Sequence, residues 1–262
     1  MKVVEKSWNE FWAYYWRVED RHRIPGIFEW DKRIVNFIEY VCGLKPPAHI
    51  LDLACGGGDQ AKVFARKGYE IVGIDIAPSL IEFAQAQFLK ENLKGNFIVG
   101  DMRDINYKEE FDTCVILSGS FGFFGDIDDQ RLLVSIRKAL KVGGKVFIMF
   151  ISANEHVDHT RTWRDLEYGW ELGETWFDNE ACVHCGTSAI IRRDGTMIVP
   201  KKEPGYHANE RIRCYTIPEM RTMFAKAGLE YSASYSSRYL EVPPKTVPKG
   251  AIRNIVVGER KV

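Results

Sequence analysis

Apolar positions follow two rhythms along the first 150 residues. Ile34, Phe37, Ile38 and Val41 recur at helical spacing, so one face of a helix is buried there. The whole stretch 1–47 reads as helical, rich in aromatics and charge, and ends at Pro46-Pro47. From 48 onward, short apolar runs alternate with amphipathic segments. Residues 49–53 and 70–74 predict strands, and between them Asp59 is placed to cap a helix that Gly68 stops. Ser79 is the expected cap of the next helix, whose Leu80, Phe83, Ala84 and Phe88 share one face. Residues 96–99, 113–117 and 145–151 predict three more strands, with a helix over 129–140 that Gly143-Gly144 ends. Such alternation predicts a parallel sheet covered on both faces.

The rhythm breaks at 152. Residues 152–212 hold Trp163, Trp170, Trp176 and a turn signal at Asp194-Gly195, with no helical stripe, and predict a small β-rich insertion. At Thr216 the earlier pattern resumes: Thr216 and Glu219 form a capping box, Pro218 sits in the first turn and Gly228 closes the helix. Strands over 229–235 and 251–258 follow. The predicted organisation is therefore a helical segment 1–47, an α/β core over 48–151, a β insertion over 152–212 and the rest of the core over 213–262. Seven core strands give a mostly parallel, Rossmann-like sheet with helices on both faces.

Composition narrows the function classes. Of 262 residues, 45% are hydrophobic and 27% charged, an ordinary globular balance. Lys plus Arg and Asp plus Glu are each 36, so there is no basic excess to suit a phosphate backbone, and nucleic acid is a disfavoured partner. The apolar run 146–151 is far too short to span a bilayer, and the first residues lack the apolar stretch of a signal peptide. Six cysteines are too sparse for a disulfide framework. A cytoplasmic protein, monomeric or homodimeric, is the expectation.

Chemistry concentrates where the first core strand meets its helix. In Asp52-Leu53-Ala54-Cys55-Gly56-Gly57-Gly58, glycines allow a ligand close to the backbone, and the helix start offers unpaired N–H groups. Gly56, Gly58 and Ala61 also fit a loose dinucleotide pattern, with Asp75 near the position of a ribose-binding acid. Asp52, however, precedes the glycines inside the strand, where it suits an ammonium group and would be awkward beside a pyrophosphate. Asp75 ends the second strand and suits the hydroxyls of a ribose. Asp101 follows the third strand and suits an adenine amino group. An amine, a ribose and an adenine without phosphate describe S-adenosylmethionine.

With these residues in view, the sequence resembles the class I S-adenosylmethionine-dependent methyltransferases from about Ile34 onward. The motif segments are 52–58, with Ala54 in place of a usual glycine; 73–79, containing Asp75 and Ile76; and 100–104, containing Asp101 and Met102. Ser118-Gly119-Ser120-Phe121-Gly122 looks like the loop of small-molecule members. The resemblance implies S-adenosylmethionine as cofactor, held by Tyr15, Asp52, Ala54, Gly56, Asp75, Ile76, Asp101, Met102 and Ser118. It implies transfer of a methyl group to nitrogen or oxygen of a small molecule; an RNA or protein methyltransferase, or a non-catalytic cofactor-binding module, are the alternatives. In methyl transfer the protein mainly positions the acceptor and excludes water, so no fixed triad is expected. The aromatics from Trp8 to Trp16 are the candidate lid, with Tyr14 as a candidate catalytic hydroxyl. His156, after the fifth strand, is the candidate base. Cys182-Val183-His184-Cys185 looks like half a zinc site, but no matching pair follows, and no metal is expected.

Overall fold

The computed structural model describes residues 2–15, 27–155, 159–202, 210–248, 250–252 and 254–262. The core strands are β2 (His49–Leu53), β3 (Glu70–Asp75), β4 (Asn96–Val99), β5 (Phe111–Phe121), β6 (Leu140–Phe150), β12 (Leu229–Tyr235) and β13 (Ile255–Arg260). They form one seven-stranded sheet in the order β12-β13-β6-β5-β2-β3-β4. Pairings from β4 to β6 are parallel, whereas β13 runs antiparallel to both of its neighbours.

Period-two burial builds a core on each face of this sheet. Leu51, Leu53, Cys114, Ile116, Val146 and Ile148 point one way, onto helices α5 (Gly125–Ala139) and α6 (Ile217–Ala227) through Leu133, Ile136 and Phe224. Ile50, Val115, Leu117 and Phe147 point the other way, onto α2 (Ile27–Cys42), α3 (Asp59–Arg66) and α4 (Pro78–Lys90) through Ile34, Phe37, Phe64 and Ala84. The Thr216 hydroxyl accepts from the Glu219 amide and Glu219 accepts in return, so the expected capping box opens α6. Other boundaries differ from the sequence reading. Ala77, not Ser79, is the N-cap of α4, because Pro78 takes the first helical position. Gly58, not Asp59, is the N-cap of α3; α5 begins at Gly125, and the last strand starts at Ile255.

Between β6 and α6 the chain builds a second sheet from β7 (Thr160–Leu166), β8 (Gly169–Asp178), β9 (Val183–Arg192), β10 (Thr196–Pro200) and β11 (Glu210–Arg213). Its sixth strand is β1 (Lys2–Lys6), in parallel register with β10. This corrects the helical expectation at residues 2–6, while Trp8–Tyr15 and Ile27–Cys42 are helical as expected. A lone Val3-Val4 pair carries little strand signal, and pairing with an edge almost two hundred residues away overrides it. After β1, α1 (Trp8–Tyr15) lies on the second sheet through Phe11, which packs against Ile190 and Ile198.

Backbone contacts bind the second sheet to the core, and Arg213 adds ion pairs to Asp126 and Glu219. The Arg213 amide donates to the Gly122 carbonyl (2.8 Å), and around the parallel bridge from Ser152 to Tyr215 the Ala153 amide donates to the Tyr215 carbonyl and the Tyr215 amide to the Ile151 carbonyl. The Tyr215 hydroxyl, in turn, donates to buried Asp129 of α5 at 2.8 Å. No described helix is long and apolar enough to cross a membrane.

Candidate active site

Topology places a crevice where the chain reverses direction across the sheet. The order β2, β3, β4 proceeds one way from β2, and β5 lies on its other side, so the loops after β2 and β5 diverge above their carboxyl ends. There they line a cavity of about 550 Å³.

The loop after β2 is shaped to approach a ligand. Gly58 holds φ 77° as the N-cap of α3, and a Cβ at that position would meet the Ala84 side chain at 3.2 Å. Asp75, at the end of β3, clamps this loop: one carboxylate oxygen accepts from the Gly56 amide and the other from the Ala77 amide, both at 2.9 Å. Asp75 is therefore part of the loop's framework as well as a lining residue. Burial pushes its pKa up against those two backbone bonds.

Asp52 carries the clearest chemical signal. It is only 2% exposed, and its Oδ2 has no hydrogen-bond partner among the described residues. Burial, then the charge of Asp75, raises its pKa to about 8. A buried carboxylate with an open oxygen calls for a donor, and a cationic one would keep it ionised. An ammonium group meets that requirement. Asp101 is set differently: Arg103 binds it through its guanidinium (2.6 Å) and its amide (2.9 Å), which holds the carboxyl below its usual range.

Asp52, Ala54, Gly56, Asp75, Ile76, Asp101, Met102 and Ser118 all line the cavity. Two expected residues do not. Tyr15 lies on the second sheet beside Arg164, which reaches its hydroxyl at 3.4 Å, and burial followed by Glu171 raises its pKa. Tyr14 faces the Tyr168 ring, with centroids 6.3 Å apart. The reason is helical phase: Phe11, Tyr14 and Tyr15 share the face of α1 that packs on the second sheet, while Trp8, Trp12 and Ala13 line the cavity. His156 lies outside the described residues. His159 pairs with Glu174 at 2.6 Å on the second sheet.

Sequence reasoning missed Glu210 and Ile212 of β11, which line the cavity from the second sheet, and Phe123 and Phe124 beyond β5. No local pattern marks Glu210. It reaches the site on β11, which pairs with β9 and is held to the loop after β5 by the Arg213–Gly122 contact. Among the described residues, no cluster of three His, Cys, Asp or Glu side chains is arranged to hold a metal ion.

Residues 50–144, which run from β2 into β6 and contain the glycine loop and all three acids, match the family of methyltransferase domains. Residues 50–144 thus carry a methyltransferase domain. Over 124 residues it is 36% identical to a demethylmenaquinone methyltransferase of Thermotoga maritima, a match that covers 46% of this chain and 49% of that protein. The matched region thus spans about half the length of the curated relatives. Solved structures share the fold over nearly the whole chain. An S-adenosylmethionine-dependent methyltransferase from Clostridium acetobutylicum aligns with a TM-score of 0.71 at 16% identity, over 97% of this chain and 99% of that one. An amino pentose methyltransferase from Micromonospora echinaspora, solved with S-adenosylmethionine bound, aligns at 0.67 and 17%, over 94% and 97%. The residues of this domain fit S-adenosylmethionine: buried Asp52, with an oxygen unpartnered among the described residues, suits an ammonium group.

Proposed function

We propose that this protein transfers a methyl group from S-adenosylmethionine to nitrogen or oxygen of a small molecule. S-adenosylmethionine, when bound, supplies an electrophilic methyl group on a sulfonium. The chain's own residues bind, orient and keep water away. Asp52 and Asp75 hold the polar end of the cofactor, and Trp8, Trp12, Phe123 and Phe124 supply apolar walls that dry the space beside it. The observation that carries the small-molecule reading is the cavity itself: about 550 Å³, with a second sheet standing over the strand ends, is room for a cofactor and a compact acceptor. A solved neighbour of the same fold is an amino pentose methyltransferase.

An RNA acceptor would need an open cationic face, and two of the arginines that could build one in the insertion are already paired. Arg193 pairs with Asp165 and lies over the Trp170 ring at 4.4 Å, and Arg192 faces Asp194. Calorimetry tests the cofactor half of this proposal. S-adenosylmethionine and S-adenosylhomocysteine should bind and NAD should not; tighter binding of NAD than of either would overturn it.

A further inference from the structure

Asp52, Asp75 and Asp101 are accounted for by the cofactor, and Asp59 belongs to the first turn of α3. That leaves one acid of the lining, Glu210, which comes from the opposite wall. Among the described residues, the lining contains five carboxylates, Asp52, Asp59, Asp75, Asp101 and Glu210, and no lysine, arginine or histidine. A lining of one sign repels an anionic acceptor and favours a cationic one.

The fold makes room for Glu210 on purpose-built terms. Its register partner on β9 is Gly186, where a Cβ would come within 3.0 Å of Glu210 Oε2, so the absence of a side chain there leaves the carboxylate its space. Three residues along, the Arg213 amide is pinned to the Gly122 carbonyl, and this fixes β11 against the loop after β5. Among the described residues, Glu210 has neither an ion pair nor a hydrogen bond to its carboxylate. Loss of water alone raises its pKa to about 7.

Resting on the methyltransferase reading above, we propose that the acceptor is an amine, and that Glu210 binds its ammonium form and removes the proton that masks the nitrogen. The step balances simply. An N–H bond of the ammonium breaks and its electron pair stays on nitrogen; the proton forms an O–H bond with the Glu210 carboxylate. A cation and an anion become a neutral amine and a neutral acid, and the freed pair is the nucleophile for methyl transfer. A carboxyl whose pKa lies near neutrality suits this exchange, since it is ionised when the ammonium arrives and basic enough to take its proton.

The test uses the full chain, saturated with S-adenosylhomocysteine, and matched primary amines and alcohols on phenylethyl, cyclohexyl and hexopyranosyl frames. Calorimetry on the wild type should find at least one amine bound about tenfold or more tighter than its alcohol, and Glu210→Gln should erase that preference. With S-adenosylmethionine, methyl transfer to that amine should fall by ~10²–10³ in Glu210→Gln. Glu210→Asp, which keeps the charge on a shorter stem, should retain the binding preference and lose part of the rate. No amine preference in any pair, or amine transfer undiminished by Glu210→Gln, would overturn the proposal. Failure of S-adenosylhomocysteine to bind the wild type would instead sink the methyltransferase reading.

Discussion

Asp52 illustrates how much a single buried atom can decide. Its carboxyl is held well above its ordinary value of 3.8, reaching about 8, because burial and Asp75 oppose the charge. Its folded-state pKa therefore exceeds its unfolded one, so the stability tied to its proton is fully present below 3.8 and is lost as pH climbs toward about 8. Asp52→Asn should accordingly raise the ligand-free melting temperature at pH 8, by a stability gain on the order of 1–3 kcal/mol. The gain should vanish as pH falls toward 4. The same variant should bind S-adenosylhomocysteine more weakly by about 1.5–3 kcal/mol, having lost a charge-assisted bond. A melting curve that does not shift between wild type and variant at pH 8 would mean the carboxylate is satisfied without ligand. In the sequence, Asp52 was legible as an acid before glycines; its open oxygen was not, because partners come from other strands.

Among the elements, β11 has the most to do with function and the least signal. It has four residues, and it reaches the cavity because Gly122 lets two backbones meet. Gly122 has φ 114°, and a Cβ there would fall 2.3 Å from the Arg213 carbonyl oxygen. Gly122→Ala should thus cost ~1–3 kcal/mol of stability and displace Glu210 without touching its chemistry. The expected reading is a lower melting temperature, near-normal S-adenosylhomocysteine affinity and reduced methyl transfer. Unchanged turnover would show that the position of β11 is unimportant. By contrast, the capping box at Thr216 and Glu219 was legible outright, since all of its parts lie within four residues.

At the scale of the whole molecule, α1 joins two surfaces. Its Phe11 is buried on the second sheet, while Trp8 and Trp12 line the cavity. Phe11→Ala should cost about 3–5 kcal/mol with ligand affinity retained in the folded fraction, whereas Trp12→Ala should cost affinity for S-adenosylhomocysteine more than stability. Melting and calorimetry on both variants check this, and equal effects on both readouts would merge the two faces into one. The sequence by itself determined the α/β core, its glycine loop and the three acids at consecutive strand ends, because periodicity, turn residues and caps are local. It also determined that the stretch after β6 is β-rich. Only the tertiary structure decided that β1 completes the second sheet, that Tyr14 and Tyr15 turn away from the cavity, and that Glu210 turns toward it. Each of those depends on pairing or helical phase set by residues far along the chain, and contacts of that kind leave no mark in a window of neighbouring positions.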